Sequence, residues 1–250
     1  MFRLVWFVFR VIFRLKVILL SMAAGAAIAG GLHVREQSRT WGLLPGDAER
    51  ELPGDDLVVG PGLVETRSLV IAAAPAQVWP WLVQMGFERG GWYSFVPLDR
   101  AWSPGGGAPR HSAEAILPEF QGLAVGDIVP THPGGGFEAR IVEPGAALVL
   151  YLDDVMVKDQ ATGQTDDQSK ADGEGVRDMD MPAFRVSWAF VLEAEPGGGT
   201  RLVERIRMHI ELTAPQRRGV PMLGLGLFTL MRSQMLGIKR RAEGTPRQEA

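Results

Sequence analysis

The sequence predicts an α+β domain in which a curved antiparallel sheet is covered on one face by helices. Three patterns support this prediction. A strand pattern is followed at once by an amphipathic helix. Several short strand patterns come next, and the last two alternate apolar and polar residues with a period of two. The chain then closes with a long helical pattern. Strands grouped between helices are typical of antiparallel sheets whose helices lie on one side.

The composition fits one globular domain with appendages and excludes several function classes. The chain has 250 residues, of which 46% are hydrophobic and 22% charged, enough for a sizeable core. Its formal net charge of -3 gives no electrostatic footprint for nucleic acid, so we predict no nucleic-acid partner. Because the chain contains no cysteine, a disulfide scaffold, a cysteine-ligated metal and a thiol nucleophile are excluded.

Residues 1–34 are predicted to form an interfacial or transmembrane helix. The opening stretch MFRLVWFVFRVIFRLK is aromatic and basic, and residues 17–32 carry no charge. At 1.5 Å per residue this run is about 24 Å long, near the lower limit for a span. More basic residues precede the run than follow it, which favours a single-pass anchor with an extracytoplasmic domain. The alternative is a signal peptide cleaved before Gly30, which would leave the chain secreted.

Residues 35–62 are predicted to form an extended tether between this helix and the folded domain. They are rich in proline, glycine and aspartate and show no sustained period. The folded domain is expected to occupy residues 63–243, and residues 244–250 are expected to form a disordered tail.

The domain begins with a strand pattern at Val64–Ala72 and an amphipathic helix. Pro75 suits the first helical position, and Gly86 suits the helix end. The apolar stripe of this helix consists of Val78, Trp81, Leu82 and Met85. Beyond it, Trp92–Trp102 carries an aromatic residue every few positions and is predicted to form a short second helix.

Five further strand patterns follow, with one interruption. Three short strands are predicted at residues 127–131, 136–142 and 147–152, separated by turn compositions. Residues 153–182 are strongly acidic and poor in apolar residues, which predicts a disordered insertion. Residues 184–192 and 202–212 alternate with a period of two around a Pro-Gly-Gly-Gly turn and predict a hairpin.

The last element is predicted to be a helix from Pro221 to Glu243. Arg232 interrupts its apolar run, so the pattern favours a helix lying on the sheet rather than a second membrane span. Three basic residues in the final turn suit the helix dipole. The stripe expected to face the sheet consists of Leu227, Met231, Met235 and Ile238.

This order of elements resembles a known superfamily. The stretches WPWLVQMGFERGGWYSFVPLD, LPEFQGLAVGD, SWAFVLE and LGIKRRAE are similar to those of the START-related helix-grip superfamily, specifically its polyketide cyclase/dehydrase-like SRPBCC proteins. The resemblance implies a sheet of six or seven strands that curls around the C-terminal helix. It also implies a cavity that, in relatives, takes lipids, sterols, polyketides or other apolar molecules.

Large apolar side chains are the candidates for lining such a cavity, since rigid aromatic and adaptable methionine side chains suit a bulky apolar ligand. For each of them the alternative is ordinary core packing. These candidates are Trp81, Met85, Trp92, Tyr93, Trp188, Phe190 and Met208. Gln84 and Arg89 lie near the end of the first helix, where a polar group would either orient the polar end of a ligand or close a structural salt bridge that pins the turn.

Three residues are catalytic candidates: Glu204, Asp99 and His111. Glu204 interrupts the apolar face of its strand, so it either points inward, where it pairs with an arginine or gains a raised pKa, or lies on a solvated face. His111 follows a Gly/Pro-rich loop and is considered as a proton shuttle. The four histidines show no metal-ligand spacing, and no cofactor motif is present, so we predict neither a metal nor a cofactor.

The function expected from these patterns is binding of a hydrophobic small molecule or lipid by a domain held at a membrane. The alternative is an enzyme of the polyketide cyclase/dehydrase type that uses acid/base residues in the cavity. A third possibility is an accessory domain whose acidic insertion binds another protein. The sequence identifies no such protein partner.

Overall fold

The computed structural model describes residues 41–94, 112–163, 182–213 and 220–244, together with Ser38 and Gln216. The chain divides into two compact units, residues 1–40 and residues 41–250, and the account below concerns the second. The predicted membrane helix at residues 1–34 lies outside the described residues. Within the described ranges, no helix is long and apolar enough to cross a bilayer.

Within the described ranges, six antiparallel strands form one sheet, and three α-helices accompany it. The sheet order is β1-β6-β5-β4-β3-β2. The strands are β1 (Leu63–Ile71), β2 (Ile128–His132), β3 (Gly135–Glu143), β4 (Ala147–Asp153), β5 (Phe184–Ala194) and β6 (Thr200–Ile210). The helices are α1 (Pro75–Val83), α2 (Asp154–Gly163) and α3 (Val220–Ala242). This arrangement confirms the predicted α+β class, with a curved antiparallel sheet and a long C-terminal helix, and it is a helix-grip-like fold.

The two faces of the sheet differ in what covers them. The inner face carries Leu69, Phe190 and Leu202 and is covered by α1 and α3. The outer face carries Val203 and Arg205, the residues that alternate with the inner set along β6. Because strand side chains alternate between faces, the register of β6 decides which of its charged residues enter the core.

α3 packs closely on the inner face at two glycines. A Cβ atom at position 237 would lie 2.0 Å from the backbone oxygen of Tyr93. A Cβ atom at position 224 would lie 2.7 Å from Oε1 of Glu65. The predicted stripe of Leu227, Met231, Met235 and Ile238 is buried, as expected from its spacing.

α1 is shorter than the sequence predicts. It begins at Pro75 as expected, and the side chain of Gln77 accepts a hydrogen bond from the Ala74 N–H at 3.0 Å. The helix ends at Val83, because Gly86 has a φ of 126° and forms a bridge with Gly91 instead. The predicted second helix at 92–102 lies outside the described residues from 95 onward, and residues 92–94 are not helical.

Residues 41–62 differ from the extended tether that the sequence predicts. They form turns and a short 3-10 helix, Asp55–Leu57, and arginines on the outer face of β6 bind their backbone. Trp41, at the start of this segment, packs against Phe228 of α3. Leu52 and Val58 of the same segment are buried. Arginines of β6 hold this segment, mainly by hydrogen bonds to its backbone carbonyls and carboxylates. Such pairing leaves no periodic pattern in the sequence, so the packing was not predicted.

The acidic insertion also begins differently from the prediction. Residues 154–163 form α2 rather than a disordered stretch. Asp153 Oδ1 accepts a hydrogen bond from the Met156 N–H at 2.8 Å, and the side chain of Gln160 exchanges two hydrogen bonds with the backbone of Gly136. Local capping and docking on β3 therefore order the first third of the insertion. Residues 164–181 lie outside the described residues, as does the predicted tail beyond residue 244.

Candidate ligand-binding site

A cavity of about 430 Å³ lies where the ends of β1 and β6 meet the first turn of α3. Its floor is formed by the inner-face pair Leu63 and Met208, which stand opposite each other in the β1–β6 register. The helix contributes Val220 and Leu223 to one wall. The described lining residues are Gly60, Gly62, Leu63, Met208, His209, Ile210, Leu212, Val220 and Leu223.

The lining of this cavity is mostly apolar and only half-buried. Leu63, Met208, Ile210 and Leu223 are each partly exposed. Among the described lining residues, only His209 carries a polar side chain, and its Nδ1 lies 3.0 Å from the carbonyl oxygen of Gly60. A partly exposed apolar hollow of this kind favours a hydrophobic occupant.

The predicted aromatic candidates lie mainly in the core. Trp92 and Trp188 stack with ring centroids 5.5 Å apart, and Trp81 meets Tyr93 edge-on at 5.9 Å. Phe190 and Met85 are also buried in this cluster. Met208 is the one residue of the predicted ligand-binding set that lines the cavity.

Gln84 and Arg89 hold neighbouring backbone. Gln84 Oε1 accepts the Leu117 N–H at 2.9 Å, and its Nε2 donates to the carbonyl of Ala115 at 3.2 Å. Arg89 donates to the carbonyls of Met85 at 3.1 Å and Val83 at 2.8 Å. Burial lowers the pKa of Arg89, although the Asp127 carboxylate acts in the opposite direction. Both side chains thus fix the turn after α1 and the loop that covers it.

Glu204 faces inward, and its side chain is fully buried. The indole Nε1–H of Trp188 donates to its Oε1 at 2.8 Å, while Oε2 has no partner among the described residues. Burial raises the pKa of Glu204 to about 8, even though the Trp188 hydrogen bond and the charge of Arg67 favour the ionised form. The strand register therefore selects the inward orientation that the sequence left open. Asp99 and His111 lie outside the described residues.

An ion pair that the sequence analysis did not single out lies beside Glu204. Arg67 stands directly opposite Glu204 in the β1–β6 pair. The Nη2 atom of Arg67 donates a hydrogen bond to Oε2 of Glu65 at 2.5 Å. The guanidinium also lies 5.3 Å from the ring centroid of Phe228. Both charges of this pair are buried. The sequence does indicate that this pair faces inward. Glu65 and Arg67 occupy alternate positions of β1, and so do the apolar residues Leu63, Leu69 and Ile71.

Arginines on the outer face of β6 bind residues 41–62. Arg205 donates to the carbonyls of Arg50 at 2.8 Å and Asp47 at 2.7 Å and pairs with the Asp55 carboxylate at 2.6 Å. Arg201 forms a buried ion pair with Asp47. These residues are structural anchors for this segment.

Within the described ranges, no group of three or more histidine, aspartate and glutamate side chains is arranged to hold a metal ion. The acidic pairs that the sequence places in residues 164–181 fall outside those ranges.

Comparison with known proteins gives distant structural likenesses. No protein-family model and no curated protein sequence matches the chain. A solved structure from Mesorhizobium loti is 16% identical, covers 74% of this chain and 100% of its own, and has a TM-score of 0.35. A conserved protein from Geobacillus kaustophilus is 11% identical, with coverages of 73% and 97% and a TM-score of 0.38. Ara h 8.0201 is 14% identical, with coverages of 73% and 99% and a TM-score of 0.26. The fold description therefore rests on the sheet order and the position of α3.

Proposed function

We propose that this domain binds a hydrophobic small molecule or lipid in the cavity between β1, β6 and α3. The observation that supports this function best is the half-exposed apolar lining of a 430 Å³ space at the end of the sheet. That volume falls within the usual range of small-molecule pockets, about 300–1,000 Å³. Apolar side chains left partly exposed around a concavity gain free energy when a ligand removes them from water.

A membrane position is part of the same proposal. The support comes from the sequence of residues 1–34, whose basic, aromatic and uncharged stretches are typical of an anchor. An anchored domain would sample ligands dissolved in the bilayer at a high effective concentration. The folded domain would be extracytoplasmic, because more basic residues precede the uncharged run than follow it.

The test is a binding measurement with a variant that fills the cavity. The purified chain is titrated with N-phenylnaphthylamine, an apolar fluorescent probe. Saturable one-site binding is expected, and Met208→Trp should weaken it about tenfold, because the larger side chain occupies the floor. Val155→Trp is the matched control, since Val155 is an exposed valine on α2 remote from the lining. Equal affinities of the two variants for N-phenylnaphthylamine would overturn the proposal.

An acid/base enzyme of the polyketide cyclase/dehydrase type is the second candidate. The observation that favours it is the buried Glu204 carboxyl, whose raised pKa of about 8 suits proton transfer near neutral pH. Glu204→Gln separates the two functions. A carrier keeps its affinity for N-phenylnaphthylamine in this variant, whereas an enzyme loses turnover of a linear polyketide.

A further inference from the structure

One buried carboxyl oxygen on the inner face of the sheet lacks a partner. Glu204 Oε1 accepts the Trp188 indole N–H, but Oε2 is shielded from solvent and has no hydrogen bond among the described residues. Buried polar atoms are rarely left unpaired in folded proteins, so this atom calls for a role. Its neighbours on the same face, Phe190 and Ile206, are apolar.

Burial favours the protonated form of the Glu204 carboxyl over the ionised form. From β1, Arg67 faces it, but Arg67 is ion-paired with Glu65, so this neighbouring pair is neutral as a whole. From β5, Trp188 contributes a neutral N–H group. From α3, the apolar ring of Phe228 lies 5.3 Å from the guanidinium of Arg67. Full burial raises the pKa of Glu204 to about 8, although the Trp188 hydrogen bond and the charge of Arg67 act in the opposite direction. A protonated Oε2 is a hydrogen-bond donor.

The free oxygen lies on the same strand face as the floor of the cavity. Glu204, Ile206 and Met208 are successive inward residues of β6, so Glu204 is about 13 Å from Met208 at 3.3 Å per residue. Ile206 lies between them in the buried core, so a ligand that reaches Glu204 from Met208 must displace it. Methionine side chains have several rotatable bonds and repack readily around an incoming group.

We propose that Oε2 of Glu204 donates a hydrogen bond to a carbonyl oxygen of the bound molecule, whose apolar remainder extends back to the cavity at Met208. The ligand class is therefore an apolar chain or ring system that carries a ketone, aldehyde or ester group. A carbonyl oxygen satisfies the donor without bringing a second donor into an apolar core. This inference rests on the proposed function, because it requires a ligand in the cavity.

The test uses two probes that differ by one carbonyl group, methyl nonyl ketone and undecane. Each displaces N-phenylnaphthylamine from the wild-type chain and from three variants. In the wild type the ketone should bind about tenfold more tightly than the alkane. Glu204→Leu should reduce this ratio to about one, whereas Glu204→Gln should retain it, since the amide NH2 group can donate. Gln234→Leu is the matched control, because Gln234 is an equally buried polar residue on α3 and its loss should leave the ratio unchanged.

A second measurement needs no variant. The carbonyl stretching band of methyl nonyl ketone shifts to lower frequency when the oxygen accepts a hydrogen bond, so the bound ketone should absorb below its frequency in hexane. A band at the hexane frequency overturns the inference, as does an equal affinity of the two probes in the wild type. Either result leaves the proposed function standing if undecane still displaces the fluorescent probe. If neither molecule displaces it, the proposed function fails and the inference fails with it.

Discussion

Trp188 and Glu204 are joined by a hydrogen bond that crosses the β5–β6 pair diagonally. Trp188 stands opposite Ile206, and Glu204 stands opposite Phe190, yet the indole N–H reaches the carboxyl oxygen at 2.8 Å. Trp188 also stacks on Trp92, so the carboxyl group is linked to the aromatic core. A slip of one residue in this register would move Glu204 to the outer face and remove the contact.

The buried Glu204 should make the protein less stable as the pH rises. In the unfolded chain this carboxyl titrates near 4.5, whereas in the folded state its pKa is about 8. Between these values the folded protein holds a proton that the unfolded chain has released, so the free energy of unfolding falls with rising pH. Glu204→Gln should remove this part of the slope in urea unfolding measured at about pH 5 and about pH 8. The prediction would be contradicted if the free energy of unfolding changed equally with pH in the wild type and in Glu204→Gln.

Arg205→Ala should release residues 41–62 from the outer face. The substitution removes the guanidinium that donates to the backbone carbonyls of Asp47, Ala48 and Arg50 and that pairs with the Asp55 carboxylate. Breaking one side of a buried ion pair costs about 3–5 kcal/mol. Urea unfolding and amide hydrogen exchange of residues 41–62 measure the loss. Arg140→Ala is the control: Arg140 is 40% exposed in its pair with Glu138, so its removal should cost less than about 1 kcal/mol. Equal losses in the two variants would argue against the anchoring role of Arg205.

Gly237→Ala should destabilise the protein although alanine is the better helix former. Alanine gains up to about 1 kcal/mol over glycine within a helix. Here the added Cβ would lie 2.0 Å from the Tyr93 carbonyl oxygen, a backbone atom, so α3 or the loop must move. We expect a lower thermal midpoint and a net cost of about 1–3 kcal/mol. Gly122→Ala, where the Cβ meets open space, should change stability by less than about 0.5 kcal/mol. A stabilised Gly237→Ala variant would show that the close approach is absent.

Asp47 should contribute to acid sensitivity. Burial alone would raise its pKa, but hydrogen bonds from Arg201 and the Leu44 N–H, with the charge of Arg201, hold the pKa below the ordinary value of 3.8. The stabilisation is therefore present at neutral pH and is lost as the pH falls through the lowered value. Asp47→Asn should be less stable than the wild type at neutral pH, and the gap should narrow at about pH 3. A gap that stays constant with pH would mean that the charge of Asp47 is not involved.

Most of the secondary structure followed from periodicity. The strand predicted at residues 147–152 is Ala147–Asp153, and the helix predicted from Pro221 to Glu243 is Val220–Ala242. These elements bury one face each, and burial of one face imposes a visible alternation on the sequence. The packing of residues 41–62 was not predictable in this way. Its partners Asp47 and Arg201 are 154 positions apart, and isolated polar pairs over such distances leave no local pattern.

The candidate site was predicted less well than the fold. Large aromatic residues mark a core and a ligand pocket equally, so composition could not separate Trp188, which packs in the core, from Met208, which lines the cavity. The position of the cavity depends on where β1, β6 and α3 end relative to one another. Glu204 was found because a charge within an apolar alternation is visible, whereas its inward direction required the register.

The two close approaches of α3 restrict how a ligand can enter. Gly224 lies against Glu65 and Gly237 lies against the Tyr93 backbone, so axial sliding of the helix would drive neighbouring side chains into both contacts. The core therefore cannot open by a shift of the whole helix. The part of α3 that can move to admit the proposed ligand is the turn before Gly224, where Val220 and Leu223 border the cavity. Exchange of ligand should then depend on local fraying of one helical turn, a motion far cheaper than separating helix from sheet.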